Sequence, residues 1–205
     1  GFLFQEIVTR RPGRLVSIFF YRRPDGRLHT IAIERERMNP FWGGVGCLIK
    51  KTEFLHDRLL AEALKEADYE GLGEVDVFET ENSMIMFDLN VRLPGWAFFA
   101  EICGVDLLGM YLDDMSKGSL RAFHPRTPCR KSVIKAVDLL NDTEAVFHPR
   151  NGLIANGKLT VGQYLKSLKG VRGAYLIDSR DMGPFLHKFY DELRTFLRKR
   201  LKIDG

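Results

Sequence analysis

The stretch GEVDVFETENSMIMFDLNVR, residues 73–92, decides how this chain folds. Val75-Asp76-Val77-Phe78 alternates and is β-branched and aromatic, which is the pattern of a half-buried strand. Met84-Ile85-Met86-Phe87 is a second, apolar strand body, and Glu79-Thr80-Glu81-Asn82-Ser83 between the two is polar and turn-forming. Antiparallel pairing across that turn sets Asp76 beside Asp88. Side chains along a strand return to the same face every second residue, so Asp88, Asn90 and Arg92 are expected to share one face. Two carboxylates and an amide oxygen are hard oxygen donors of the kind that hold Mg²⁺, an ion usually bound by one or two carboxylates together with substrate phosphates. An arginine just beyond them carries a planar fork that takes phosphate oxygens bidentately. The plainer alternative is that Asp76 and Asp88 cap strand ends and Arg92 salt-bridges one of them.

Working outward, residues 14–20 (RLVSIFF) read as a buried strand, Pro24-Asp25-Gly26 as a turn, and His29–Ile33 as the returning strand. Residues 53–69 read as a helix: Leu55, Leu59, Leu60, Ala63, Leu64 and Ala67 recur at helical spacing, and Gly71 is the expected stop. Pro94-Gly95 breaks the chain after Arg92, and short helices are expected over 97–103 and 107–115. From Ser116 the character changes, and Lys117-Gly118-Ser119 reads as a boundary between a segment 1–117 and a segment 118–205. His124-Pro125-Arg126 and His148-Pro149-Arg150 repeat a triplet, but their flanks do not match, so no internal repeat is inferred. Residues 133–140 fit helix or strand. Thr160 is a good N-cap for a helix over 161–168 with Gly170 after it, residues 174–177 read as a strand, and Asp181 and Pro184 open a last helix. Phe185, Leu186, Phe189, Leu193, Phe196, Leu197 and Leu201 are the expected apolar face of that helix.

Composition narrows the class. A chain of 205 residues, 45% hydrophobic and 28% charged, has the make-up of an ordinary globular protein with ample core. No run approaches the ~20 apolar residues that span a bilayer, and Gly1-Phe2-Leu3-Phe4 lacks the basic start of a signal peptide. Cys47, Cys103 and Cys129 are odd in number and widely spaced, which suggests neither a zinc site nor a disulfide framework, and a reducing, cytoplasmic compartment is expected. His29, His56, His124, His148 and His187 form no ligand spacing. The net charge of +4 gathers partly at Arg194, Arg198, Lys199, Arg200 and Lys202. Cations at a helix C-terminus favour the macrodipole, so this cluster does not by itself indicate nucleic acid, although a basic nucleic-acid-binding module is one competing reading.

Asp88-Leu89-Asn90-Val91-Arg92, with Asp76 on the preceding strand, resembles the acidic residue and Glu-x-Asn-x-Arg run that close the nucleotide site in the ATP-grasp superfamily of carboxylate–amine ligases; Asp88 stands where that family has Glu. Gly104-Val105-Asp106-Leu107 is similar to the family's Gly-Val-Asp segment after a short helix. Phe2-Leu3-Phe4-Gln5-Glu6-Ile7-Val8 looks like the adenine hinge, and Glu34 to Gly46 like the basic strand and glycine loop near phosphates and substrate. The resemblance covers about residues 1–115. It implies an α+β chain, with an antiparallel sheet and flanking helices forming an ATP-grasp C-terminal lobe over 1–117 and a small mixed appendage over 118–205. It further implies ATP and Mg²⁺ as cofactors: Gln5, Glu6 and Val8 at adenine, Asp76, Asp88 and Asn90 at the metal, and Arg92, Arg35 and Arg37 at phosphoryl, acyl-phosphate or substrate carboxylate groups. Gly43-Gly44 offers close backbone approach. Trp42 and Trp96 read as packing residues, and Arg35 and Arg37, alternating with Glu34 and Glu36, also suit a solvated strand face. The sequence opens at the hinge, so an upstream ATP-grasp portion is expected in cis or in trans. The implied reaction is an ATP-dependent joining of a carboxylate to an amine, such as an amino acid or peptide, through an acyl phosphate. The competing reading is a non-catalytic ATP-grasp fragment that binds a nucleotide or a partner chain.

Overall fold

The computed structural model describes residues 13–41, 45–116, 134–175, 177 and 181–201. The elements run β1 (Arg14–Arg22), β2 (Leu28–Asn39), β3 (Val45–Thr52), α1 (Asp57–Glu66), β4 (Gly71–Glu79), β5 (Met84–Asn90), α2 (Ala97–Ile102), α3 (Leu107–Met115), β6 (Lys135–Val137), α4 (Leu139–Phe147), α5 (Val161–Ser167), β7 (Val171–Ala174) and α6 (Gly183–Leu201). This is an α+β chain of two compact units, one comprising Gly1–Arg35 with Lys50–Ile134, the other Glu36–Ile49 with Lys135–Gly205. The boundary expected at Lys117-Gly118-Ser119 lies outside the described residues. No helix among the described residues is long and apolar enough to cross a membrane.

In the first unit the strands lie in the order β5-β4-β1-β2-β3. β1 is central and pairs antiparallel with both β2 and β4, and β4 pairs antiparallel with β5. The β1–β2 connection is the expected turn: Gly26 sits at φ 83°, Gly26 N–H donates to Arg23 O (2.9 Å), and Asp25 accepts from Arg27 N–H (3.0 Å). One face of the sheet packs on α1. Its core is Val16, Ile18 and Phe20 of β1, Ala32 of β2, Val75 and Val77 of β4, and Leu60 and Leu64 of α1, with Met84 and Met86 of β5 against the edge. On the other face α3 packs against β1 and β4. There Tyr21 donates to Asp114 (2.7 Å) and meets Tyr111 edge to face.

Helix α1 begins four residues later than its periodicity predicts. Glu79, only 2% exposed, accepts from the Leu55 N–H (2.7 Å) and from Arg14 Nε (2.9 Å), and His56 bonds the Thr80 carbonyl. These bonds commit residues 55 and 56 to the end of β4 before the helix starts. Of the expected apolar face only Leu60 and Leu64 are fully buried, whereas Leu55 and Leu59 are exposed. The stop also differs. Asp68 takes the left-handed conformation (φ 48°), Tyr69 N–H reaches back to Leu64 O (3.0 Å) and Asp68 N–H to Lys65 O (3.1 Å), a Schellman closure with Asp where Gly is usual. Gly71 already belongs to β4.

In the second unit the order is β2-β3-β6-β7, with β6 and β7 parallel. The ambiguous residues 133–140 divide in two. Lys135–Val137 is a fully buried strand, and Asp138 caps α4 by accepting from Asn141 N–H (3.3 Å). Thr160 caps α5 as expected and forms a capping box with Gln163. The expected strand over 174–177 is displaced: β7 is Val171–Ala174, and Ala174, which pairs with Val137 of β6, meets Ile177 only through an isolated bridge. Asp181 accepts from Gly183 N–H (3.0 Å) at the start of α6. On α6, Leu186 and Phe189 are exposed, so the predicted apolar face is not buried there; the side chains of residues 193, 196, 197 and 201 lie outside the described residues.

Candidate functional site

The β4–β5 register sets Asp76 directly across from Asp88 and Glu74 across from Asn90. A bulge makes this arrangement. Val77 pairs with Met86 while Asp76 pairs with Asp88, so Phe87 is the extra residue on β5. Without it, alternation would put Met84, Met86, Asp88 and Asn90 on one face. With it, the methionines go to the α1 core and the polar pair joins Asp76 on the opposite face. Gly73, next to Glu74, lets the strands close up: a Cβ there would lie 2.5 Å from the Phe20 ring and 3.0 Å from Asn90 O.

Register carries this face across the sheet. Ser17 of β1 lies between Asp76 and Ile33 of β2, and Arg35 follows Ile33 two residues on. Arg35 Nη2 donates to both oxygens of Asp76 (2.7 and 2.9 Å) and to Ser17 Oγ (2.9 Å), and Ser17 Oγ in turn donates to Asp76 Oδ1. Asp76 is 6% exposed and Ser17 1%. Burial pushes the Glu74 carboxyl up from its ordinary value, the Asp76 charge adds to this, and Arg35 and Arg92 oppose it. Asp88 is exposed and accepts from the Asn90 amide (2.9 Å). Arg92 is exposed and lies two residues past the end of β5, with its guanidinium 3.5 Å from Leu93 O.

The other candidates lie elsewhere. Arg37 belongs to the second unit, where it is 7% exposed. Its guanidinium donates to Asp142 through Nε (2.5 Å) and Nη2 (3.0 Å) and to Ser167 Oγ (3.1 Å), and it sits 5.1 Å from the centre of the Tyr164 ring. Neither Arg35 nor Arg37 therefore occupies a simple solvated face. Gln5, Glu6 and Val8, together with Trp42, Gly43 and Gly44, lie outside the described residues. Sequence reasoning missed Ser17 and Glu74. Glu74 was within reach of the alternation that picked out Asp76; Ser17 depends on a pairing 59 residues away and left no local signal.

Among the described residues no three or more His, Cys, Asp or Glu side chains gather to hold a metal ion by themselves. The side-chain oxygens of Asp76, Asp88 and Asn90 are hard donors, of the chemical type that Mg²⁺ takes when phosphate oxygens and water complete its shell. Both Asp76 oxygens already accept from Arg35.

No family model matches the sequence, and no curated protein matches it. Solved structures similar to parts of the chain include the phosphoribosylaminoimidazole carboxylase ATPase subunit from Aquifex aeolicus, at 10% identity and TM-score 0.43 over 56% of this chain and 38% of that one. The N5-carboxyaminoimidazole ribonucleotide synthetase from Thermus thermophilus is similar at 18% identity and TM-score 0.41, over 55% of this chain and 33% of that one. An L-amino acid ligase from Bacillus licheniformis is similar at 14% identity and TM-score 0.39, over 54% and 33%. The chain thus spans only a third to two fifths of the length of these three structures.

Proposed function

We propose that the β4–β5 hairpin face is the phosphate and cation end of an ATP-grasp-type nucleotide site. In this reading the chain is a portion of an ATP-dependent ligase that joins a carboxylate to an amine through an acyl phosphate. The observation that carries the reading is the cross-strand pair Asp76–Asp88 with Asn90 on the same face and Arg35 beside it. Residues 1–117 are assigned to the nucleotide lobe and 118–205 to the appendage, with the upstream portion of the fold supplied in cis or in trans and a cytoplasmic setting.

Asp76, Asp88 and Asn90 would hold Mg²⁺, which supplies charge neutralisation at the transferring phosphoryl group. Arg92 and Arg35 are placed at phosphoryl or acyl-phosphate oxygens, where a planar guanidinium donates two parallel hydrogen bonds. Gln5, Glu6 and Val8 keep the adenine role. We assign no substrate contact to Arg37, whose guanidinium is committed to Asp142.

One observation favours the second reading, a fragment that binds a nucleotide or a partner chain without turnover: Asp76 already accepts three hydrogen bonds from protein donors. The test is calorimetric titration with ATP, with and without Mg²⁺, on the wild type and Asp88→Asn. Saturable binding that requires Mg²⁺ and weakens in the variant supports a cation–nucleotide site. Absence of binding by the chain, and by the chain joined to its upstream portion, overturns it. Binding without turnover in the joined protein selects the second reading.

A further inference from the structure

We propose that Arg35 is the resident counter-ion of the cation position: it holds Asp76 while no cation is present, and it passes to the nucleotide's phosphate oxygens when a divalent cation takes that carboxylate. The inference rests on the reading of the hairpin face given above and concerns how that site is regulated by its own ligands.

Three carboxylates share this face. Glu74 and Asp76 are on β4, and Asp88 stands directly across from Asp76. Like charges opposite each other on neighbouring strands repel, and burial of Asp76 sharpens the need for a partner. Arg35 supplies it with one nitrogen spread over both Asp76 oxygens, and Ser17 Oγ fills a further acceptor site. These bonds fill three of the roughly four lone-pair sites of the carboxylate, so a divalent cation finds at most one open on Asp76, and a guanidinium at hydrogen-bond distance repels it there. Arg35 and the cation therefore compete for Asp76.

The Arg35 guanidinium is not sealed into the core: its side chain is 22% exposed, so it already borders solvent. Phosphate oxygens would offer it a bidentate partner in exchange for Asp76. Two consequences follow. The cation alone binds weakly because Arg35 opposes it, and the nucleotide alone binds weakly because Arg35 is occupied. Each ligand removes the other's obstacle, which is a reciprocal coupling of their affinities.

The experiment measures Mn²⁺ binding without nucleotide, by electron paramagnetic resonance of the free ion, in the wild type, Arg35→Gln and Arg35→Lys. Calorimetry with Mg²⁺ and ATP is run in parallel on each protein. Removing the competing charge should tighten Mn²⁺ binding about tenfold in Arg35→Gln, in the middle of the usual range of coupling between sites, while Mg²⁺-dependent ATP binding weakens. Arg35→Lys should fall between. A purely structural Arg35 would instead lower both affinities together. In case Arg35→Gln does not fold, the wild type alone is decisive through the ¹⁵N signals of the Arg35 guanidinium during a Mg²⁺ titration. Signals that shift as the site fills support the exchange. Signals that stay fixed while it fills, or unchanged Mn²⁺ affinity in the folded variant, overturn it and leave the nucleotide site standing. Binding of neither Mn²⁺ nor nucleotide by any of the proteins, alone or joined to the upstream portion, overturns both.

Discussion

Replacing Arg37 by methionine separates a structural arginine from a substrate-binding one. Met keeps much of the stem's length and apolar packing but removes the guanidinium. Asp142, whose side chain is 0% exposed, then loses two charge-assisted hydrogen bonds of 2.5 and 3.0 Å and keeps its charge in the interior. Breaking one partner out of a buried ion pair costs about 3–5 kcal/mol, because the remaining charge is uncompensated. The lost stacking on Tyr164 falls within that range rather than on top of it. For a chain of this size each kcal/mol shifts the melting temperature by roughly 2–4 °C, so the transition that includes the second unit should fall by about 6–20 °C. The second substitution sharpens the test. Arg37→Met with Asp142→Leu removes both charges and should recover most of the loss, since well-packed apolar replacements of a buried pair are often neutral or better. Differential scanning calorimetry on the wild type, the single variants and the double variant reads the coupling directly. An Arg37→Met protein that melts like the wild type yet loses Mg²⁺-dependent ATP binding would refute the reasoning and return Arg37 to the substrate.

The sheet-facing side of α1 is tested by Leu64→Ala, which should cost about 2–5 kcal/mol as a core truncation, whereas Leu59→Ala, at an exposed position, should stay within about 0.5 kcal/mol by urea denaturation. Glu74 gives the pH dependence. Its folded pKa is raised by burial and by Asp76, so the stability linked to its protonated form is fully present below the ordinary unfolded value and is lost as pH rises through the folded value. Glu74→Gln should therefore raise the melting temperature at pH 7 and leave it nearly unchanged at pH 3; an equal effect at both pH values would contradict the assignment.

Much of this arrangement was legible because local patterns and global register agree. The alternation in residues 75–78, the polar break at 79–83 and the apolar run at 84–87 were enough to pair Asp76 with Asp88. Turn chemistry at Pro24-Asp25-Gly26 and the cap at Thr160 were equally local, since a side chain bonding its own neighbourhood leaves its mark in the sequence. What escaped reading was set by partners far away in the chain. The start of α1 depends on a carboxylate 24 residues beyond Leu55, and no periodicity within the helix reports it. The same holds for Arg35: nothing between residues 34 and 37 distinguishes the arginine that meets Asp76 in one unit from the arginine that meets Asp142 in the other.

The bulge at Phe87 joins these two kinds of information. A strict period of two assigns Met84 and Met86 to the same side as Asp88 and Asn90, which would either expose the methionines or bury the carboxylate against α1. Neither is tolerable, because a slip of one residue exchanges the entire apolar and polar sets of a strand. One extra residue resolves the conflict by letting the first half of β5 serve the core and the second half serve the polar face. Phe87 is itself accommodated by stacking on Phe78, with ring centres 4.9 Å apart. The pairing of Asp76 with Asp88 was thus readable from the ends of the hairpin, while the face it occupies required the irregularity in the middle. That irregularity sits one residue from the proposed cation ligand Asp88, so the residue that rescues the core also aims the site.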